Sequence, residues 1–385
     1  MVQLRCPDTL AVFVRHHGTY SAQRDRRRLT THRPLWSTVH AASEKATRQS
    51  LMLPDRSKSS MPDLSVVIVT YNSASVVSDC LRSVTEHMPE VEIVVVDNGS
   101  DDGTVALVGR NPQVCVVKGH GNVGFGAGVN LGARAASGRL LFVLNPDASL
   151  VGVDRGQLEN LRRDPVTGLV GCRVRSQKLT YHHLKFAAWG WKAELYWALS
   201  QYFLVPCEIS VMRPRLAGRH RRQWIAGAAF VVARHEFLEV GGFDDQIFLY
   251  FEDFDLSRTY SAHGLPIRTT EAITVAHIGQ QSSPQDECTM IGYACLGLIE
   301  YVHKWEGSDA ARDAASRCLR VLAAIELIGR ACGGVPLLGP RAKRKRESAF
   351  TVRSWLVAAA TQPPVPNAYA AAAAALRRAL PNDAI

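Results

Sequence analysis

Val91-Glu92-Ile93-Val94-Val95-Val96-Asp97-Asn98-Gly99-Ser100-Asp101-Asp102-Gly103-Thr104 is a β-branched apolar run that opens into an acidic glycine turn. Such a run, apolar without alternation, suits a strand covered on both faces. The same design stands upstream in Leu64-Ser65-Val66-Val67-Ile68-Val69-Thr70-Tyr71-Asn72 and downstream in the strand Arg139 to Leu144, which ends in Asn145-Pro146-Asp147. Three apolar strands therefore each end in a polar cluster containing Asn or Asp. In an open α/β sheet, ligands bind outside the carboxyl ends of the strands.

The spacing around these runs predicts strands near 64–70, 91–96, 113–117 and 139–144, with helices near 74–87, 103–110 and 125–136. Strand and helix alternating at this interval indicate an α/β fold with a mostly parallel central sheet flanked by helices. A helix at 154–163, a strand at 166–174, a single strand at 225–233, a helix at 252–262 and another at 286–304 continue the pattern. Residues 176–222 hold Trp189, Trp191, Trp197, Tyr181, Tyr196 and Tyr202 before a basic tail. They read equally as an insertion beside an acceptor site or as a flap over the sheet.

A second informative stretch is Gly242-Phe243-Asp244-Asp245-Gln246-Ile247-Phe248-Leu249-Tyr250-Phe251-Glu252-Asp253-Phe254-Asp255-Leu256. Its apolar positions are too dense for a solvated face, and its carboxylates too many for plain core. It reads as a cleft wall in which one carboxylate, foremost Asp253, serves as a general base. On a helix, residues 252 and 253 point about 100° apart, so only one of them can face a given point.

At the strand ends, the Asp97 carboxylate can accept from a nucleobase N–H or a ribose hydroxyl. Thr70 and Asn72 can contact a nucleotide, and Asn72 can alternatively cap a helix. The glycines at 119, 121, 124, 126, 128 and 132 do not give Gly-x-Gly-x-x-Gly, which argues against a dinucleotide cofactor. They suit close approach of backbone and Asn122 to a ligand. Asp147 follows a proline at a strand end and is placed to help bind Mg²⁺ or Mn²⁺ against a diphosphate.

With these pieces in this order, residues 63 to 305 resemble the inverting glycosyltransferases of family 2, which have the GT-A fold, and within them the rhamnosyltransferase-like branch. The resemblance rests on Val69-Thr70-Tyr71-Asn72, Val96-Asp97-Asn98-Gly99-Ser100, Gly121 to Asn130, Asn145-Pro146-Asp147, Ala226-Gly227-Ala228, Tyr250 to Leu256 and His277. It implies Asp253 as base, Asp147 and His277 at the metal, and Thr70, Asn72, Asp97, Asn122, Asn145, Gly227 and Glu252 around the nucleotide-sugar. Asn145 departs from the family's Asp-X-Asp pattern, leaving Asp147 the surer ligand. It further implies a dTDP- or UDP-sugar donor, rhamnose or a related deoxyhexose as the sugar, and a polyprenyl-diphosphate-linked saccharide acceptor in cell-envelope polysaccharide synthesis. A sugar nucleotidyltransferase is the rival enzyme, but it would carry a basic glycine loop where this first strand ends in Thr-Tyr-Asn. A non-catalytic carbohydrate-binding homologue is the rival without chemistry.

The charge is uneven. The net +10 sits at the ends: residues 1–60 hold 11 Lys and Arg against 4 Asp and Glu, and residues 301–385 hold 13 against 6. That distribution points to an anionic membrane surface as partner and not to nucleic acid in the cleft. The expected organisation is a disordered basic extension over 1–61, the catalytic domain over 62–305, and a helical, basic extension over 306–385. Met61 directly precedes the first strand, so residues 1–60 are read as a mis-assigned start in preference to a native arm. Nine scattered cysteines without Cys-x-x-Cys suggest reduced thiols and a cytoplasmic setting. The apolar run from Leu319 to Arg330, followed by Arg341-Ala342-Lys343-Arg344-Lys345-Arg346, is too short and too charged to span a bilayer. It suits a helix lying at the inner face of the cytoplasmic membrane.

Overall fold

A computed structural model of the protein describes residues 3–5, 63–164, 168–175, 180–182, 184–188, 221–277, 287–332, 343 and 346–354. The strands are β1 (Gln3–Arg5), β2 (Leu64–Thr70), β3 (Glu92–Asp97), β4 (Val114–Lys118), β5 (Leu140–Leu144), β6 (Ala148–Val153), β7 (Leu169–Arg175), β8 (Thr180–His182), β9 (Leu184–Ala188), β10 (Arg221–Ile225), β11 (Ala229–Ala233) and β12 (Ile267–His277). The helices are α1 (Val77–His87), α2 (Thr104–Val108), α3 (Phe125–Ala135), α4 (Arg155–Arg163), α5 (Arg234–Glu239), α6 (Glu252–Ala262), α7 (Glu287–Glu306) and α8 (Ser308–Cys332). A further helical stretch covers 346–354.

The main sheet has the order β1-β4-β3-β2-β5-β11-β7-β12-β6, with β8 on β7. Strands β4, β3, β2 and β5 run parallel, as the alternation of strand and helix implies. Beyond β5 the sheet is mixed: β11 is antiparallel to both β5 and β7, β12 is parallel to β7, and β6 is antiparallel to β12. The expectation of a mostly parallel sheet thus applies to the first half. In the second half, β11 comes from far along the chain, enters antiparallel between β5 and β7, and ends the parallel pattern.

All seven residues of β2 are buried. Val66 and Ile68 join the apolar cluster that includes Val77, Cys80 and Val84 of α1, while Val67 and Val69 join the opposite one with Val129 of α3, Phe237, Phe243 and Tyr260. Coverage on both sides is the physical reason for the unbroken apolar run. A third cluster joins α6, α7, α8 and 346–354, through Phe251, Phe254, Leu298, Tyr301, Leu322 and Val352.

Four expectations change. The single strand predicted over 225–233 is two strands, β10 and β11, divided at Ala226-Gly227-Ala228. Strand β6 was not anticipated. The Leu319–Arg330 run, read as an interfacial helix, lies in α8, whose Ala314, Cys318 and Leu322 pack into the third cluster. Cys115 is disulfide-bonded, so the expectation of reduced thiols throughout does not hold for it, while Cys80, Cys172, Cys295 and Cys318 are buried free thiols. Of the first 61 residues only Gln3–Arg5 are described, as an edge strand on β4. The rest of that extension, most of 176–222, most of the basic cluster 341–346 and the Ala-rich end lie outside the described residues.

Asp255 ties the third cluster to the sheet. It is fully buried on α6 and accepts from Lys304 Nζ (2.8 Å) and Trp305 Nε1 (2.7 Å) of α7. Burial, partly offset by these donors, raises its carboxyl above the usual range. Removing it orphans the indole N–H and leaves Lys304 with Asp244, 2.9 Å away. Asp255→Ala is therefore expected to lower unfolding free energy by roughly 2–3 kcal/mol, measured by urea titration. An unchanged midpoint would contradict this role.

Candidate functional site

The site is built where β2, β3 and β5 end. After β3 the chain must reverse, and Asp97 organises the reversal. Its carboxylate accepts from Thr70 Oγ1 (3.0 Å), Ser100 Oγ (2.6 Å) and the N–H groups of Gly99 (3.1 Å) and Ser100 (3.0 Å). Asn72, in the left-handed region at φ 48°, donates its N–H to Ser100 Oγ and accepts from the Asp101 N–H. The three residues expected to contact a nucleotide, Thr70, Asn72 and Asp97, are thus together. Their polar groups are already committed to holding two loops in register.

The glycine-rich segment leans on the same turn. Asn98 Nδ2 donates to the Gly124 carbonyl (3.0 Å), and Asn98 Oδ1 faces His120 Nε2 (3.0 Å). Asn122 Oδ1 accepts from the Gly124 N–H. Gly124 sits at φ 90°, and a Cβ there would collide with the carbonyl of Phe248, which accepts from the Phe125 N–H at 3.1 Å. Only glycine allows that approach, which fastens the loop to the acidic-aromatic run 120 residues later in the fold's path.

Within that run the backbone is strained. Tyr250 and Phe251 are consecutive non-glycine residues in the left-handed region, at φ 64° and 69°. They turn the chain sharply into α6. Helix α7 makes space with Gly297, whose Cβ would strike the Tyr250 carbonyl. Phe251 packs against Phe254 and Tyr301, and Phe254 stacks on Trp224 with ring centroids 3.9 Å apart. The outcome is a first turn of α6 that carries Glu252 and Asp253 side by side.

Asp253 is half-buried. Its Oδ2 accepts from the Gly227 N–H (3.3 Å) and its Oδ1 from the Phe254 N–H (2.8 Å). The break between β10 and β11 is what offers the Gly227 N–H. Glu252 is buried, and its Oε2 finds no hydrogen-bond partner among the described residues. Burial, and after it the neighbouring Asp253, push the Glu252 carboxyl up to about 8. Asp255, on the same helix, faces α7 instead.

The Asn145-Pro146-Asp147 turn lies on the other side of this break, because the Asn145 N–H donates to the Ala228 carbonyl (2.9 Å). The β12–β6 register sets His277 opposite Ala148, which carries the imidazole beside Asp147, Nε2 to Oδ1 3.3 Å. The Asp147 side chain is wholly buried. Asn145 Oδ1 is buried without a partner among the described residues. Behind the turn, the Cys80 thiol donates to the Asn145 carbonyl (3.6 Å), and burial raises its pKa well above the ordinary thiol range. Cys80 and His120 are not singled out in the sequence, and Asn98 and Phe248 enter only as members of the quoted motifs, without a role of their own at the site. His120 lies within the glycine-rich segment, the one signal that stands near it.

Comparison with known proteins follows the same segments. The model of Glycosyl transferase family 2 matches residues 65–221. An N-acetylglucosaminyl-diphospho-decaprenol L-rhamnosyltransferase of Mycobacterium tuberculosis is 30% identical over 215 residues, half of this chain and 68% of that one. The succinoglycan biosynthesis protein ExoO of Rhizobium meliloti is 38% identical over 90 residues, 23% of this chain and 26% of that one. Among solved structures, a mannosyltransferase of Pyrobaculum calidifontis in complex with GDP-Man and Mn²⁺ superposes with a TM-score of 0.43 at 16% identity, covering 90% of this chain and 88% of that one. The extent of the match to the mycobacterial enzyme establishes that the chain belongs to glycosyl transferase family 2 and is a glycosyltransferase.

Proposed function

We propose that the chain transfers a sugar, with inversion, from a nucleotide diphosphate donor to a lipid-linked saccharide during surface polysaccharide synthesis. The observation that carries this reading is the junction at 226–228, where Gly227 meets Asp253 and Ala228 meets the Asn145–Asp147 turn. It sets a candidate base and a candidate diphosphate site on the two sides of one short loop. The mycobacterial relative is named as an L-rhamnosyltransferase acting on N-acetylglucosaminyl-diphospho-decaprenol, which supports rhamnose as the sugar and a polyprenyl-diphosphate-linked acceptor; a related deoxyhexose and a dTDP or UDP carrier rest on the sequence resemblance alone.

Asp147, His277 and Asn145 fit a divalent cation. Asp147 and His277 are neighbours, and the orphaned Asn145 Oδ1 lies in the same turn. Among the described residues no group of three or more His, Cys, Asp and Glu could hold a metal by itself, so donor oxygens would complete the set. When bound, Mg²⁺ or Mn²⁺ supplies charge neutralisation at the departing diphosphate. Asp253 takes the proton from the acceptor hydroxyl as that oxygen bonds to the anomeric carbon and the bond to the diphosphate breaks. Glu252, neutral at pH 7, donates a hydrogen bond to the donor sugar from beside it.

We further place the protein peripherally at the inner face of the cytoplasmic membrane. Among the described residues no helix is long and apolar enough to cross one. Leu327 is 69% and Phe350 53% exposed on neighbouring stretches joined by the Arg353–Glu326 ion pair, with Arg330 and Lys343 also exposed. Apolar side chains among cations suit an anionic interface.

Asp253→Asn is expected to cut sugar transfer by about 10² to 10⁴ while calorimetry shows donor affinity close to wild type; near-normal turnover would sink the assignment. Asp147→Ala should weaken donor binding in Mn²⁺ and leave the metal-free affinity unchanged. An unaltered metal titration would count against Asp147 as ligand. Glu252 gives a pH signature. Its carboxyl ionises near 4.5 ordinarily and near 8 in the fold. Between those values unfolding releases a proton, so stability falls as pH rises. The melting temperature of Glu252→Gln should therefore gain on wild type steadily across that window. Parallel profiles would show that Glu252 is not held neutral.

A further inference from the structure

The residue expected to read the nucleoside, Asp97, has little left to offer. Both its carboxylate oxygens accept hydrogen bonds from the turn itself, four in all. An acceptor in use by Thr70, Gly99 and Ser100 can take a ligand's proton only by weakening the turn that shapes the site.

A second acceptor lies next to it. The Gly124 carbonyl can only accept, so the Asn98 side-chain atom bonded to it is the amide nitrogen. Asn98 Oδ1 is thereby the atom that faces His120 Nε2 at 3.0 Å, and Nε2 must carry the proton. This fixes the tautomer. In the neutral ring Nδ1 is left with a lone pair, and it has no hydrogen-bond partner among the described residues. Burial holds the His120 pKa below the ordinary value, with nearby Asp97 pulling the other way. A buried acceptor left unmet is unfavourable, so its presence beside the turn after β3 calls for a ligand donor. The ring as a whole is only partly buried.

We propose that His120 Nδ1, and not the Asp97 carboxylate, is the acceptor for a hydrogen-bond donor on the nucleoside of the donor substrate. A neutral acceptor there favours a uracil or thymine imide N–H or a ribose hydroxyl, and gives no reward to a base edge that offers only lone pairs. The proposal rests on the nucleotide-sugar reading above and assigns to that reading a specificity-determining residue.

Two substitutions separate ligand contact from loop support. His120→Asn places a carbonyl oxygen where Nδ1 stands and gives up the bond to Asn98. His120→Gln reaches Asn98 with its amide and gives up the Nδ1 acceptor. Calorimetry with UDP and with dTDP, in Mg²⁺, is the readout on the full chain. The expected result is that His120→Asn stays within about 3-fold of wild type while His120→Gln loses about 10-fold, the scale of one hydrogen bond. The reverse order, or equal affinities, overturns the proposal and makes His120 a loop support. Methylating the imide nitrogen of the bound nucleotide, or removing a ribose hydroxyl (2′ or 3′ of UDP, 3′ of dTDP), locates the partner: one of the two changes should weaken wild type and leave His120→Gln unaffected. Indifference of wild type to both also overturns it. If wild type binds neither UDP nor dTDP, the donor reading falls along with this one. If wild type binds and His120→Gln matches it, only this inference falls.

Discussion

The site depends on one strained turn. Tyr250 and Phe251 both occupy the left-handed region, a conformation that costs about 1–3 kcal/mol at each such residue. It persists because everything around it leaves no alternative. Gly297 removes the side chain that would displace the Tyr250 carbonyl, the Phe248 carbonyl is bonded to Phe125, and Phe251 is wedged between Phe254 and Tyr301. If the turn relaxed, α6 would start elsewhere, and Asp253 would leave the Gly227 N–H. The third apolar cluster and the buried Asp255 anchor are best understood as the load that keeps this turn in place.

The carboxylates of the site divide according to what surrounds them. Asp97 and Asp255 are saturated by protein donors and act as struts. Glu252 is buried with little to stabilise a charge and is held neutral. Asp253 accepts from two backbone N–H groups while remaining half-buried. Four acidic residues from two short stretches thus acquire different chemistry from burial and hydrogen bonding alone.

The sequence made the first half of the sheet legible because strands covered on both faces leave long β-branched runs, as in β2 and β3. It singled out Asp147 and Asp253 as carboxylates among apolar residues, and the structure sets the Asn145–Asp147 turn and the Asp253 carboxylate on the two sides of the 226–228 junction. The break between β10 and β11 was hidden, since Trp224 to Ala233 reads as one apolar run and only the pairing of β11 between β5 and β7 reveals that Gly227 must turn. Strand β6 was hidden for a similar reason: its Val151 is exposed and its register with β12 is a long-range matter. The internal commitment of Asp97 was equally invisible, because Thr70 comes 27 residues before it and only the parallel register of β2 on β3 brings the two side by side.

That register has a further consequence for how a donor can be held. The turn after β3, the glycine-rich segment, the acidic run and the 226–228 junction are joined partly by chain and partly by hydrogen bonds: Asn98, next to Asp97, donates to the Gly124 carbonyl, the Phe125 N–H donates to the Phe248 carbonyl, and beyond the Tyr250–Phe251 turn the Gly227 N–H donates to Asp253, while the neighbouring Ala228 carbonyl accepts from the Asn145 N–H. The Phe125–Phe248 and Asn145–Ala228 links are wholly backbone, whereas the other two depend on the Asn98 and Asp253 side chains. Polar atoms left unmet among the described residues, on Glu252, Asn145 and His120, lie on the segments that these bonds join. Under the proposed function they are the atoms left over for a donor, because their neighbours' polar groups are already spent on holding the segments together.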